Sequence, residues 1–279
     1  MLGKIERITR GQKILFYAVM SLLGAIMIYP FFFALTTSLK DSPEVFVDIL
    51  NPFGKQLRFD NYATALSTVN MGRYMVNTAI VAIGVALGQI VTSILGGYAF
   101  ARINFPGKDL IFRIYLGTIM IPFVVLMVPI YKMMMVFGWI DNLVSLIVPW
   151  IFTAYGTFLM RQFLISLPKE LEEAAIIDGA NRITVLLKIY MPLAVPAIAT
   201  QFTISFLYAW NSFIWPLVAI TGKNNYVVTL GLADIQGGYH ANPPIVMAGA
   251  VMAILPTVLV FLMAQRYFVE GVATTGIKG

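Results

Sequence analysis

Long apolar runs separated by polar stretches dominate the chain. Crossing a hydrocarbon core of about 30 Å takes about 20 helical residues. Six runs are long enough: 14–38, 75–100, 110–136, 141–161, 192–220 and 244–266. They are continuous rather than alternating, and backbone in lipid must satisfy its own hydrogen bonds. The pattern therefore predicts an all-α integral membrane protein with six transmembrane helices, a single transmembrane domain over residues 1–279, and excludes a β-barrel. The first run follows Lys4, Arg7, Arg10 and Lys13 and reaches Leu35. That is too long for the core of a signal peptide, and no small-x-small cleavage site follows, so it reads as a retained first helix.

The connections are unequal. Residues 39–74 and 221–243 are long and polar, 101–109 and 137–141 are short, and 162–191 carries the densest charge. Orientation follows from Lys and Arg, which gather in cytoplasmic loops. With the N-terminus inside, Lys4, Arg7, Arg10, Lys13, Arg102, Lys108, Arg113, Arg161, Lys169, Arg182, Lys188, Arg266 and Lys278 lie inside; Lys40, Lys55, Arg58, Arg73, Lys132 and Lys223 lie outside. The ratio of 13 to 6 puts both termini and 162–191 in the cytoplasm, and 39–74 and 221–243 outside as extracytoplasmic loops.

Within the second run, Gly84, Gly88, Thr92 and Gly96 recur every four residues. They share a helix face on which another helix can approach closely. Pro122 and Pro129 are expected to bend the third helix.

Composition sharpens the picture. The chain of 279 residues is 59% hydrophobic and 11% charged, against about 25% charged in soluble domains. Its surplus apolar surface must face lipid. The net charge of +6 is explained by loop Lys and Arg, so nucleic acid is not an expected partner. There is no cysteine, and one histidine, His240, reads as a solvated loop residue. Thiolate metal sites, cysteine nucleophiles and histidine clusters are excluded. The predicted spans contain no Asp or Glu beyond Asp141, the first residue of the fourth, and Lys132 sits near an outer end where it can snorkel. A proton-coupled carrier would hold ionisable residues there; sodium coupling is disfavoured too, and a secondary transporter remains the alternative from a different class. The Gly-Lys pairs at Gly3, Gly54, Gly107 and Gly222 lack a following Ser or Thr, so the chain has no P-loop.

Residues 167–192 read LPKELEEAAIIDGANRITVLLKIYMP. Pro168 and the acidic residues Glu170, Glu172 and Glu173 suit a helix start. Asp178-Gly179 suits a stop, with Gly179 as a left-handed cap. Leu171, Ala174, Ala175 and Asp178 would share a face on which two alanines admit a close partner. A second short helix follows, with Ile183, Leu186, Leu187 and Tyr190 in helical spacing. Chemistry alone leaves two readings open, an interfacial amphipathic hairpin and a docking element.

The segment resembles the EAA loop of ABC importer permeases, whose pattern is E-A-A, three residues, G, nine residues, I-x-L-P. Glu173-Ala174-Ala175, Gly179, Ile189 and Pro192 match it at every spacing, with Met191 where Leu is usual. The stretch from Ala209 to Pro216 resembles the A-W-N stretch of carbohydrate permeases, and Gly271 through Gly279 resembles the tail of the maltose-permease type. The resemblance spans nearly the whole chain. It implies half of a translocation pathway, with a cytoplasmic coupling helix between helices four and five. Glu172, Glu173, Ala174, Ala175, Asp178 and Gly179 would link that helix to an ATPase. It further implies a second permease subunit, an ATP-binding cassette ATPase dimer that uses ATP and Mg, and an extracytoplasmic sugar-binding protein. This chain would itself bind no cofactor and catalyse no reaction.

Sugars are held by aromatic faces and by amides or hydroxyls. Candidates in the spans are Asn77, Gln89, Gln201, Tyr208, Trp210 and Asn211, with Tyr155 in addition. The competing reading of each is structural, since amides join helices and Trp or Tyr anchor at interfaces. Another solute, such as glycerol phosphate, is the alternative within the importer class.

Overall fold

A computed structural model describes residues 9–47, 51–68, 70–237 and 242–275. His240, Lys278 and the tail 276–279 lie outside the described residues. The chain divides into two compact units, residues 1–70 with 234–254, and residues 71–233 with 255–279.

In the first unit, helix α1 (Arg10–Ser38) opens on a capping box, with Thr9 accepting from the Gln12 N–H and the Gln12 side chain accepting from the Thr9 N–H. Only its last residues, Thr36, Thr37 and Ser38, are buried, so its apolar flanks are free to face lipid or a partner. Two short helices follow, α2 (Glu44–Val47) and α3 (Asp60–Thr68). Asn61 ties α3 to the end of α1 by donating to the carbonyls of Ser38 and Lys40, and Tyr62 meets the Ser38 hydroxyl at 2.7 Å.

The second unit is built on α4 (Met71–Arg102). Its small-residue face packs as its spacing predicts. A Cβ on Gly84 or Gly88 would press on Ile147 or Ile151, and one on Gly96 or Gly97 on Thr157 or Met160. The third apolar run is not one bent helix. It forms α5 (Lys108–Gly117) and α6 (Phe123–Val136), joined by a turn at 118–120 and differing in direction by 99°. Ile121 is extended because it precedes Pro122, which disfavours the helical region for its neighbour. The fourth run also breaks, into α7 (Val144–Ile147) with a tight turn at 148–150, then α8 (Ala154–Ser166), bent by 45°.

After α8 come α9 (Glu170–Ile177), α10 (Arg182–Val185), a π-helical turn over Leu186–Tyr190, and α11 (Met191–Leu193). The fifth run is shorter than its hydropathy suggests. Helix α12 (Val195–Trp210) opens at Pro196 rather than Pro192 and meets the preceding helical segment at 79°. It ends at Asn211, and a separate short helix, α13 (Ile214–Ala219), follows. The polar segment 221–243 is partly helical, with a turn at Lys223–Asn225 and α14 (Val228–Gly237). The last run is α15 (Pro243–Thr275). Among the described residues, three single helices are apolar and long enough to span, and with each bent pair taken as one span the number reaches six.

Candidate functional site

Two places in the second unit combine polar side chains with broken backbone. The first lies where α4, the turn before α8, and α12 meet. Non-helical backbone at membrane depth must be buried in protein or line a wet cavity, because its freed carbonyls otherwise lack partners. Here α4 supplies the partners. The Gln89 amide donates to the Trp150 carbonyl at 2.7 Å, and the Thr92 hydroxyl donates to the Ile151 carbonyl at 2.6 Å. The Gln89 carbonyl oxygen in turn accepts from the Ser205 hydroxyl at 2.6 Å and the Gln201 amide at 3.3 Å. Gln201 also donates to Ser205 at 2.9 Å and is 1% exposed; its amide nitrogen is committed to this network, while its carbonyl oxygen is buried without a hydrogen-bond partner. Gly156 lets these groups meet, since a Cβ there would lie 2.7 Å from the Gln201 nitrogen.

A cavity of about 340 Å³ opens beside this network. Gln89, Gln201, Ser205, Thr118 and Thr153 contribute polar groups, and Trp150, Phe152, Tyr155 and Tyr208 contribute rings. Thr118 and Ile119 come from the break between α5 and α6, and Trp150, Phe152 and Thr153 from the break before α8. None of the lining residues is charged.

Of the sequence candidates, Gln89, Gln201, Tyr208 and Tyr155 come together here. The others lie elsewhere. Asn77 donates to the carbonyls of Asn224 and Tyr226, pinning the start of α4 to the segment before α14. Trp210 is stacked on Phe206 with ring centres 5.4 Å apart, and lines a separate apolar groove between α4, α12 and the second half of α15. Asn211 bonds back to the Leu207 carbonyl and ends α12. Ser205 was not among the candidates; its place one helical turn after Gln201 was the available signal.

The second place is the hairpin of α9 and α10. Asp178 and Gly179 end α9 as expected. Gly179 has φ +85°, its N–H bonds to the Ile176 carbonyl, and the Ala180 N–H bonds to the Ala175 carbonyl at 2.9 Å. This is a Schellman cap. The expected shared face needs one correction. Ala174 is exposed, whereas Ala175 packs inward against a core of Ile94, Tyr98, Met160, Leu164, Leu186 and Tyr190. In a helix resting on a core, the residue at the edge of the stripe turns inward. The outward surface is therefore Leu171, Ala174 and Ile177, with Glu173 and Asp178 exposed beside them. Glu172 points inward as well, accepting from the Tyr190 hydroxyl at 3.0 Å and the Tyr98 hydroxyl at 3.3 Å.

Residues 89–273 match the sequence profile of a family described as the binding-protein-dependent transport system inner membrane component. The chain belongs to this family. As a binding-protein-dependent transport component it is a membrane permease and not an enzyme. Relatives in the family include the arabinooligosaccharides transport system permease protein AraQ of Bacillus subtilis, 31% identical over 95% of this chain and 94% of that protein. The sn-glycerol-3-phosphate transport system permease protein UgpE of Rhizobium meliloti is 33% identical over 92% of this chain and 95% of its own length. The lactose transport system permease protein LacG of Rhizobium radiobacter is 31% identical, over 94% and 95%. A bacterial ABC transporter involved in import of the acidic polysaccharide alginate includes a chain with the same fold, with a TM-score of 0.83 at 23% identity over 94% of this chain and 99% of that one.

Proposed function

We propose that this permease is one of two unlike membrane subunits of an ATP-driven importer for a neutral sugar. A dimeric ATPase that consumes ATP and Mg supplies the energy, and an extracytoplasmic binding protein delivers the solute. Both termini and the α9–α10 hairpin face the cytoplasm in this reading, as the excess of Lys and Arg on that side supports. Glu173, Ala174, Asp178 and Gly179 then present or shape the surface that seats in the ATPase, while Glu172 and Ala175 fix that surface to the spans. The outer segments 39–74 and 221–243 meet the binding protein.

The observation that carries the choice of solute is the uncharged lining of the 340 Å³ cavity. Amides and hydroxyls exchange hydrogen bonds with sugar hydroxyls, and Trp150 and Tyr208 offer faces to sugar C–H surfaces. A phosphorylated polyol, which the relative UgpE is named for, would need a cation to compensate its charge in a site of low dielectric. Transport proceeds by alternating access. ATP-driven closure of the ATPase moves the hairpin, the broken spans reorient, and the cavity changes sides.

The test is uptake in proteoliposomes holding this chain, its partner permease, the ATPase and the binding protein. ATP-dependent uptake of a neutral oligosaccharide that falls at least tenfold in Gln201→Leu and Tyr208→Ala is expected. Uptake without ATP, or uptake of glycerol phosphate alone, overturns the reading.

A further inference from the structure

Beside the apolar packing of Ala175, Val185 and Leu186, a small polar group of side chains ties the hairpin to the spans. The Glu172 carboxylate projects inward from α9 and accepts from two phenols, one on each oxygen. Tyr98 comes from the last turns of α4, and Tyr190 is the final residue of the π-helical turn that leads to α12. Both phenols are almost fully buried, at 5% and 0% exposure, and their rings stand 5.9 Å apart. Arg102, four residues after Tyr98, lays its guanidinium over the Tyr190 ring at 5.0 Å. The same guanidinium donates to the carbonyls of Leu164 and Leu167, where α8 ends. Four segments, α4, α8, α9 and the π-turn, thus converge on Glu172, Tyr98, Tyr190 and Arg102.

Chemistry gives this group mechanical value. A hydrogen bond to a carboxylate is stronger than one between neutral partners. A carboxylate turned inward on an otherwise exposed helix is stabilised by its donors and is costly to strip of them. The π-turn that carries Tyr190 is a feature found frequently at functional sites. Elsewhere the inner side of α9 meets the spans through small contacts such as Ala175, which transmit push but little pull. A carboxylate hydrogen-bonded through both oxygens, to phenols on two different elements, transmits both.

We infer that Glu172, through Tyr98 and Tyr190, is the latch that makes α9 move together with α4 and α12. Glu172 is a positioning residue that faces into this chain, while Glu173 and Ala174 face the ATPase. The inference rests on the proposed ATPase docking of the hairpin and extends it inward.

The test uses the assembled importer with Tyr98→Phe/Tyr190→Phe, which keeps the ring packing and removes both donors, and Glu172→Ala. Two readouts are needed: sugar transported per ATP hydrolysed, and the ATP-induced displacement of spin labels placed on the exposed face of α9 and near Arg102. The chain has no cysteine, so labels go only where they are introduced. The expected result is normal assembly, continued ATP hydrolysis, at least a tenfold drop in transport per ATP, and labels on α9 that move while those near Arg102 do not. Glu172→Gln, which retains one carbonyl acceptor, should restore part of the coupling. Wild-type stoichiometry in both variants overturns the latch, as do labels that still move together. Failure of the variants to assemble with the ATPase also overturns it, because Glu172 would then act in docking. If the wild-type complex itself does not assemble, the docking proposal fails and not the latch alone.

Discussion

Gly97 provides a quantitative test of how α4 and α8 pack. A Cβ at Gly97 would lie 2.6 Å from the Met160 Cβ, 2.9 Å from the Arg161 backbone nitrogen and 3.1 Å from the Met160 carbonyl carbon, where ordinary contact begins at 3.4 Å. Two of these neighbours are backbone, so α8 must shift by at least 0.5 Å (3.4 minus 2.9) to admit one methyl group. Overpacking of this kind costs about 1–3 kcal/mol. Alanine recovers about 0.8–1 kcal/mol over glycine in helix propensity. Because rigid backbone bears the clash, the upper half applies, a net loss of about 1–2 kcal/mol. At about 2–4 °C per kcal/mol for a chain of this size, Gly97→Ala should lower the unfolding midpoint by about 2–8 °C. Gly24 in α1 is the control, with nothing within 4 Å of its Cβ position. Gly24→Ala should therefore gain up to about 1 kcal/mol from propensity alone. Thermal unfolding in detergent, followed by size-exclusion of the surviving fraction, measures both. Shifts of the same sign, or a Gly97→Ala midpoint at or above wild type, would refute the close approach of the two helices.

Three further outcomes are expected. Gln201→Leu removes a donor from Gln89 and Ser205, and should cost about 1–3 kcal/mol in the same unfolding assay. Gly179→Ala places a Cβ in the left-handed region, which costs about 1–2 kcal/mol, and should loosen the end of α9 enough to reduce the ATPase retained on affinity purification. Asp141 joins the loop after α6 to residues 221–225, accepting from the N–H groups of Thr221 and Gly222. Chiefly the Gly222 N–H, opposed by burial, holds its carboxyl below the usual carboxylate range. Its charge therefore stabilises the fold at neutral pH, and that contribution is lost as pH falls from about 3.9 through the lower folded value. The unfolding midpoint of Asp141→Asn should lie below wild type at pH 7 and converge with it under pH 4; a gap that persists in acid would assign the effect to shape instead of charge.

The three unbroken candidate spans were legible because length and apolarity alone mark a membrane helix; the other three runs form bent pairs. The small face of α4 was legible too, since a four-residue period survives whatever packs on it. The breaks were only partly so. Pro122 announced a bend, but a 99° turn needs an extended Ile121, and the break before α8 is held by Gln89 and Thr92, about 60 residues away. Local sequence carries no sign of such distant partners. The same limit hid the latch: Arg102 reads as one more interior-side cation, and Tyr98 and Tyr190 read as interfacial aromatics. Only folding brings them to Glu172. The candidate pathway residues divided for a related reason, because amides that line a cavity and amides that staple backbone, Gln201 and Asn77, look alike in sequence.

The most direct measurement for the whole account is the sidedness and partner of residue 174. In a chain without other thiols, Ala174→Cys should react with a membrane-impermeant maleimide only in inside-out vesicles, and should form a disulfide with a cysteine placed in the ATPase cleft that ATP binding speeds or slows. Labelling from the outer face of intact cells, or no cross-link to any nucleotide hydrolase, would contradict it.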